Sequence, residues 1–212
     1  MTPPHNESEP TVAVIDDDKG MRDALHSLLR SVGLRVELFG SAQEFLDRPP
    51  PAPPSCLILD VRLPERNGLD FHDDLIKANV RLPVVFISGH ADVAMSVRAM
   101  KAGAIEFLTK PLRPQDLVDA IQLAIEQDRT RRVEERSEAA IRSSFESLTA
   151  RERQVMALVV DGNLNRQIAA EMSVSEATVK QYRGQLMRKM NARSVVDLVR
   201  MADRLGAARP NS

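Results

Sequence analysis

Four apolar runs in this chain each end in residues suited to phosphoryl chemistry. Thr11-Val-Ala-Val-Ile15 leads into Asp16-Asp17-Asp18, and Cys56-Leu-Ile-Leu59 leads into Asp60. Pro83-Val-Val-Phe-Ile87 leads into Ser88-Gly89, and Ile105 to Leu108 leads into Thr109-Lys110. Carboxylates do not cluster freely: two unit charges 4 Å apart repel by about 4 kcal/mol at an effective dielectric near 20. A divalent cation is the simple remedy. Mg2+ takes six oxygens, commonly one or two carboxylates with waters and phosphate oxygens. Asp17 and Asp60 can supply carboxylates, and the backbone carbonyl of Arg62 a further oxygen. An acyl phosphate on Asp60 would then face Mg2+, the Lys110 ammonium and the Ser88 hydroxyl. Each signal is commonplace alone, since an acidic run is usually a solvated turn or helix cap and Lys110-Pro111 usually a turn. Their conjunction, in chain order at four strand ends, is what points to a site.

A second group lies near the C-terminus. Projected at 100° per residue, Ala177 to Met190 puts Val179, Leu186 and Met190 on one side, with Tyr182 and Met187 flanking. Ala177, Gln181, Gly184 and Arg188 fall opposite, with Thr178, Lys180 and Gln185 at the edges. Segment 175–193 holds one acid, Glu176, and five bases, Lys180, Arg183, Arg188, Lys189 and Arg193. A helix with amide and cationic side chains outward suits the major groove, where Lys reads guanine acceptors and Gln reads adenine. The remaining bases would hold phosphates. Arg183 projects toward the buried sector and is expected to reach a phosphate or an acid at the rim. Gly184 is unusual in mid-helix, where it costs about 1 kcal/mol relative to Ala.

The elements that must position these residues are legible as patterns. In the first half, apolar strands at 11–15, 35–39, 56–59, 83–87 and 105–108 alternate with helical spacing at 21–32, a short helix after the capping-box sequence Ser41 to Glu44, 69–78, 93–102, and a face of Leu117, Ile121, Ala124 and Ile125. Strands that read as continuous apolar runs indicate a parallel sheet covered on both faces, hence an α/β doubly wound five-stranded fold. The prolines from Pro49 to Pro54 read as a stiff surface connection. Residues 127–147 are mostly charged and read as a helical linker. From Leu148 the chain is all-α. Thr149 to Glu152 is a capping box, Asp161-Gly162 a break, and Ser173-Val-Ser175 a tight turn between helices 165–172 and 177–190. A fourth helix spans 194–205, giving a helix-turn-helix layout.

Composition agrees. The 212 residues carry a net charge of −1, but residues 1–126 hold 13 basic and 19 acidic residues while 127–212 hold 16 and 11. Such asymmetry suggests two modules with different partners, the basic one a nucleic-acid candidate. At 43 % hydrophobic residues, wholesale disorder is excluded. No apolar run approaches the roughly 20 residues that span a bilayer, and residues 1–10 have no signal-peptide character. Cys56 is the sole cysteine, which excludes a disulfide scaffold and fits a reducing cytoplasm.

Four segments of the first half, Val14 to Asp18, Leu57 to Gly68, Val85 to Gly89 and Ala99 to Pro111, resemble the CheY-like receiver domain of two-component response regulators. Leu148 to Val155, Asn165 to Ala169, and Val174 to Lys180 with Met187 to Met190 resemble the DNA-binding domain of the FixJ/NarL (LuxR-type) regulators. The resemblance covers nearly everything from Thr11 to Leu205. It implies a tail at 1–10, a receiver at 11–126, a linker at 127–147 and a helix-turn-helix domain at 148–212. It implies Asp60 as phosphoacceptor, with Asp16, Asp17, Asp60 and Arg62 holding Mg2+. Ser88, Gly89, Phe107 and Lys110 become the phosphate-contacting and switch positions, Phe107 standing at the aromatic switch. Thr178, Lys180, Gln181, Arg183, Gly184, Gln185, Arg188 and Lys189 become the DNA-contacting set. Implied partners are a sensor histidine kinase, promoter double-stranded DNA, a second copy on activation and RNA polymerase, in a bacterial cytoplasm with no membrane contact. The expected activity is at most Mg2+-dependent self-phosphorylation and autodephosphorylation, not enzymatic turnover. Two alternatives stand beside it: a constitutive DNA-binding protein with a docking-only receiver, and an aspartate-nucleophile phosphatase. The phosphatase normally needs a second Asp two residues after the nucleophile, where this chain has Arg62.

Overall fold

A computed structural model describes residues 9–206, apart from 52, 65 and 91. Residues 1–8 of the expected tail and 207–212 therefore lie outside the described residues. The chain divides into two compact units, one up to Arg132 and one from Val133.

In the first unit, β1 (Thr11–Ile15), β2 (Arg35–Phe39), β3 (Ser55–Asp60), β4 (Val84–Ser88) and β5 (Glu106–Thr109) form one sheet in the order β2-β1-β3-β4-β5. Every pairing is parallel. Alternate side chains leave opposite faces. Ala13, Ile15, Leu57, Leu59 and Phe86 pack with α2 (Ala42–Leu46), α3 (Gly68–Lys77) and α4 (Val93–Lys101). Val12, Val14, Cys56, Ile58 and Val85 pack with α1 (Lys19–Ser31) and the first half of α5 (Pro114–Glu146). Both faces are covered, so β1, β3 and β4 are buried throughout. This is why they read as unbroken apolar runs rather than alternating ones. Cys56 sits in this core, where burial first, and the Asp128 charge second, push its thiol up to about 12.

Three local findings refine the sequence patterns. The Ser41 side chain accepts from the Glu44 N–H, but the Glu44 carboxylate returns to the Gly40 N–H rather than to Ser41. The proline run is not wholly a surface connection. Pro51 is buried, and the Pro54 carbonyl accepts from the Thr11 N–H at 3.0 Å. Pro10, counted with the tail, accepts from the Arg35 N–H at 3.0 Å and so adjoins the sheet.

The charged stretch is helical, as expected, but its ends are packed. Asp128 is fully buried. Its Oδ2 accepts from the Ser55 N–H at 2.9 Å and from Arg132 Nε at 2.7 Å, while Oδ1 accepts from Arg131 Nη2. Ile141 and Phe145, further along, belong to the core of the second unit. That unit comprises the end of α5 with α6 (Ala150–Val160), α7 (Asn165–Met172), α8 (Glu176–Lys189) and α9 (Val195–Arg204). The Thr149 capping box is complete, with Glu152 supplying the return bond. Val155, Met156, Ile168, Val179, Leu186 and Leu198 fill the core. No helix among the described residues is long and apolar enough to cross a membrane.

Removing Asp128 takes away the acceptor of the Ser55 N–H and one acceptor each from Arg131 and Arg132. Asp128→Ala should destabilise the first unit by about 3 kcal/mol. The urea midpoint for thiol labelling of Cys56, the chain's only cysteine, measures it; an unchanged midpoint contradicts it.

Candidate functional site

The acidic cluster is assembled at the carboxyl ends of the strands. Asp16 directly follows β1 and is fully buried. Its Oδ1 accepts from the Asp18 N–H at 2.9 Å. Asp18 turns away: its carboxylate caps α1 by accepting from the N–H groups of Gly20 and Met21. Of the three consecutive acids, one is thus a cap and two remain for the site. Asp60, the last residue of β3, is also buried, and its Oδ1 accepts from the Arg62 N–H at 2.9 Å. Asp17 is exposed, and its carboxylate makes no hydrogen bond among the described residues. Asp16, Asp17 and Asp60 each offer one oxygen, all within 4.8 Å of one another.

Lys110, just past β5, closes the arrangement. Its Nζ lies 2.6 Å from Asp60 Oδ2 and 2.7 Å from Asp16 Oδ2. Its own N–H donates to the Ser88 carbonyl at 2.8 Å, which ties it to the end of β4. Burial holds the Asp16 carboxyl above its ordinary range, against the opposing pull of Lys110. Burial alone would depress the Lys110 ammonium, but its bonds to Asp16 and Asp60 win and hold it above its ordinary value. The two shifts have different causes: desolvation disfavours the Asp16 anion, whereas the carboxylate partners favour the Lys110 cation.

The Arg62–Gly68 loop leaves β3 and returns to pack on it. Arg62 pairs with Asn67 in an isolated bridge, and the Gly68 N–H donates to the Val61 carbonyl at 2.8 Å. A Cβ on Gly68 would stand 2.2 Å from the Asp60 carbonyl oxygen, so only glycine permits this approach. Ser88 is fully buried beside the site, and its Oγ donates to the His90 carbonyl and accepts from the His90 N–H. Gly89 follows it and is exposed, with open space where a Cβ would go. Phe107 is half-buried, its ring 6.3 Å from that of Phe86. One residue escaped the sequence reading. Arg22, on the first turns of α1, donates from Nη1 to the carbonyls of Asp16 and Asp17 at 2.6 and 2.9 Å. An arginine on a helix surface announces no partner, so only its spacing behind the acidic run could have found it.

Three oxygens at that separation suit a small dication. A Mg2+ ion with oxygens about 2.1 Å away holds opposite ones about 4.2 Å apart, and the three carboxylate oxygens lie within 4.8 Å of one another.

The second unit presents the turn and helix expected of a groove reader. Ser173 takes a left-handed backbone, φ 55°, and Ser175 caps α8 by accepting from the Thr178 N–H. Val179, Leu186 and Met190 are buried, whereas Lys180, Gln181, Gly184 and Arg188 are exposed. Thr178 is half-buried with its hydroxyl on that of Ser175, and Gln185 is half-buried. Two residues depart from expectation. Arg183 Nη1 donates to the side-chain oxygen of Asn165 at 2.7 Å, joining α8 to α7 rather than reaching an acid. Lys189 Nζ lies 2.6 Å from Glu152 and bonds the Ser147 carbonyl, joining α8 to the start of α6. The Glu152 carboxylate is buried, and this ion pair, with the Thr149 cap, holds it below its usual range.

Comparison with known proteins bears on both units. Residues 12–122 match the response regulator receiver domain, and residues 146–202 match the bacterial regulatory proteins of the luxR family. The chain is 52 % identical over 195 residues to nodulation protein W of Bradyrhizobium diazoefficiens, spanning 92 % of this chain and 86 % of that one. It is 40 % identical to the transcriptional regulatory protein FixJ of the same organism, spanning 92 % and 95 %. Among solved structures it is similar to the response regulator StyR, with a TM-score of 0.86 and 43 % identity over 93 % of this chain and 100 % of that one.

Two glycines give opposite expectations. Gly68→Ala should cost about 3 kcal/mol through its clash with Asp60, whereas Gly184→Ala, with nothing within 4 Å, should gain about 0.5–1 kcal/mol; Cys56 labelling reports the first. Tyr182, the only tyrosine in a chain without tryptophan, reports the second by fluorescence. The same probe tests the Glu152 pair. A carboxylate whose folded value is lowered stabilises fully above its unfolded value, near 4.5, and that stability is lost as pH falls through the folded value. Wild type should therefore unfold more readily as pH drops from about 5 toward 3, and Glu152→Gln should flatten that dependence. Parallel pH curves for the two would remove the pair from the account.

Proposed function

Because the chain belongs to the response regulators that join a receiver domain to a LuxR-type helix-turn-helix, a family of phosphorylation-dependent transcriptional regulators, we propose that Asp60 is its phosphoacceptor. The observation that carries this reading is the Lys110 ammonium, 2.6 Å from Asp60 Oδ2 and 2.7 Å from Asp16 Oδ2, with Asp17 beside them. A receiver implies a histidine kinase as donor, and the luxR-type unit implies DNA as the target. A carboxylate oxygen of Asp60 attacks the phosphorus of the kinase's phosphohistidine. The P–N bond breaks, the electron pair stays on the imidazole nitrogen, and an acyl phosphate forms on Asp60. Asp16, Asp17, Asp60 and the Arg62 carbonyl would hold Mg2+, which when bound neutralises charge on the transferring group.

The remaining steps belong to the chain's own side chains. Lys110 exchanges part of its contact with Asp60 for phosphoryl oxygens. Ser88 gives up its bonds to the His90 backbone and turns its hydroxyl to the phosphoryl group, next to the Gly89 N–H. Phe107, half-buried, then moves inward into the vacated space. Turning a 1:99 equilibrium into 99:1 needs about 5.5 kcal/mol of differential stabilisation, within reach of several charge-assisted contacts.

On this reading the phosphorylated protein dimerises and binds promoter DNA in the bacterial cytoplasm, with RNA polymerase as a further partner. Lys180, Gln181 and Arg188 supply the outward contacts of α8, with Thr178 and Gln185 at its edges and Gly184 leaving the backbone bare. Arg183 and Lys189 serve by fixing α8 to its neighbours and are available to phosphates only from those positions.

Asp60→Asn should abolish Mg2+-dependent phosphoryl incorporation from acetyl phosphate, read by intact mass. It should also abolish a gain in promoter affinity of roughly 5- to 150-fold on phosphorylation, the usual range of such couplings. Persistent incorporation refutes Asp60 as acceptor, and equal promoter affinity with and without phosphorylation favours the constitutive alternative.

A further inference from the structure

The three acids of the cluster are not held equally. Asp16 is fixed through both carboxylate oxygens, by the Asp18 N–H and by Lys110, and Asp60 is fixed by the Arg62 N–H and by Lys110. Asp17 has neither kind of support: its side chain is exposed and makes no hydrogen bond among the described residues. What is fixed around Asp17 is its backbone. The Arg22 guanidinium donates to the Asp16 carbonyl at 2.6 Å and to the Asp17 carbonyl at 2.9 Å, which are the peptide groups immediately before and after Asp17. With both flanking peptide planes held, the Cα–Cβ direction of Asp17 is set. The carboxylate then searches only its own rotamers. Arg22 is half-buried and stands on α1, whose first turn is itself capped by Asp18. The loop is thus gripped at three successive residues: Asp16 by its side chain, Asp17 by its peptides, Asp18 by the helix.

We propose that Arg22 is a positioning residue for cation binding, acting through the backbone of Asp17. The proposal rests on the reading of Asp16, Asp17 and Asp60 as a Mg2+ site. Two effects of Arg22 oppose each other there. Its positive charge near three carboxylates repels an incoming dication, while its two hydrogen bonds hold the one uncommitted ligand in place. The bonds win because the guanidinium is spent on two carbonyls at short range, whereas its charge acts on the ion through a solvated rim. Supports of this indirect kind are commonly worth 10- to 100-fold in metal affinity.

The test is Mg2+ titration of the full chain by calorimetry, for wild type, Arg22→Met and Arg22→Lys, with no phosphoryl donor present. Positioning predicts that Arg22→Met weakens Mg2+ binding by roughly tenfold or more, and that Arg22→Lys, which keeps the charge and part of the bonding, falls between the two. Cys56 labelling in the absence of Mg2+ reads fold stability separately. A role by charge alone predicts tighter binding in Arg22→Met and no change in Arg22→Lys. A purely structural role predicts a lower labelling midpoint with affinity unchanged. Either result overturns the proposal while leaving the Mg2+ site standing. Wild type that takes up no Mg2+ overturns the site reading, and the proposal falls with it.

Discussion

A single ammonium set between two buried carboxylates governs the first unit. Asp16 and Asp60 could not both be charged and both buried without Lys110, since removing one partner of such a group leaves an uncompensated charge in the core. One ammonium cannot neutralise two carboxylates, and Asp17 adds a third at the rim. Burial raises the Asp16 carboxyl, and the bonds to Asp16 and Asp60 raise the Lys110 ammonium. The topology follows from the same requirement. Asp16 and Asp60 lie 94 and 50 residues from Lys110 in the chain, yet a parallel sheet in the order β2-β1-β3-β4-β5 delivers the ends of β1, β3 and β5 to one edge. Gly68 then lets the loop after β3 press onto Asp60 without a side chain between them.

Much of this could be read from residue order. The buried strands appear as apolar runs because helices cover both faces of the sheet, and each run stops at a polar residue because the strand there emerges into the crevice. The capping box at Thr149 and the buried face of α8 were equally legible, since caps and helical periodicity are local. The candidate site residues were legible as types at strand ends, though not which acid caps a helix. The resemblance already sets Asp16 and Asp17 apart from Asp18, and hydrogen bonding makes them a buried lysine partner, an unbonded rim carboxylate and a helix cap.

What stayed hidden shares one physical cause: a charged side chain on a helix looks solvated until its partner is known. Asp128 lies in a run of charges that reads as linker, yet it is buried and bonds the backbone of Ser55, 73 residues away. Lys189 meets Glu152 across 37 residues, and Arg183 meets Asn165 across 18. Arg22 is closer to its partners in sequence, but those partners are carbonyls, which composition never displays. Charge tells how many groups need partners; only the fold assigns them.

That assignment changes the electrostatics of the basic unit. Composition credits segment 175–193 with five cations for DNA. With Arg183 bonded to Asn165 and Lys189 paired with buried Glu152, Lys180, Arg188 and Arg193 remain exposed, with no side-chain partner among the described residues. Each phosphate neutralised contributes about 0.9 to the log–log salt slope, so these three cations of one copy supply a slope near 3, before any phosphate that Arg183 or Lys189 reaches from its bonded position. Two copies on one site would double it and add the second recognition helix. One α8 therefore offers few uncommitted cations to phosphates, and a pair would offer twice as many. Under the proposed function that is the physical reason for coupling binding to dimerisation: the contacts of one α8 leave room for the phosphoryl group on Asp60 to decide the outcome.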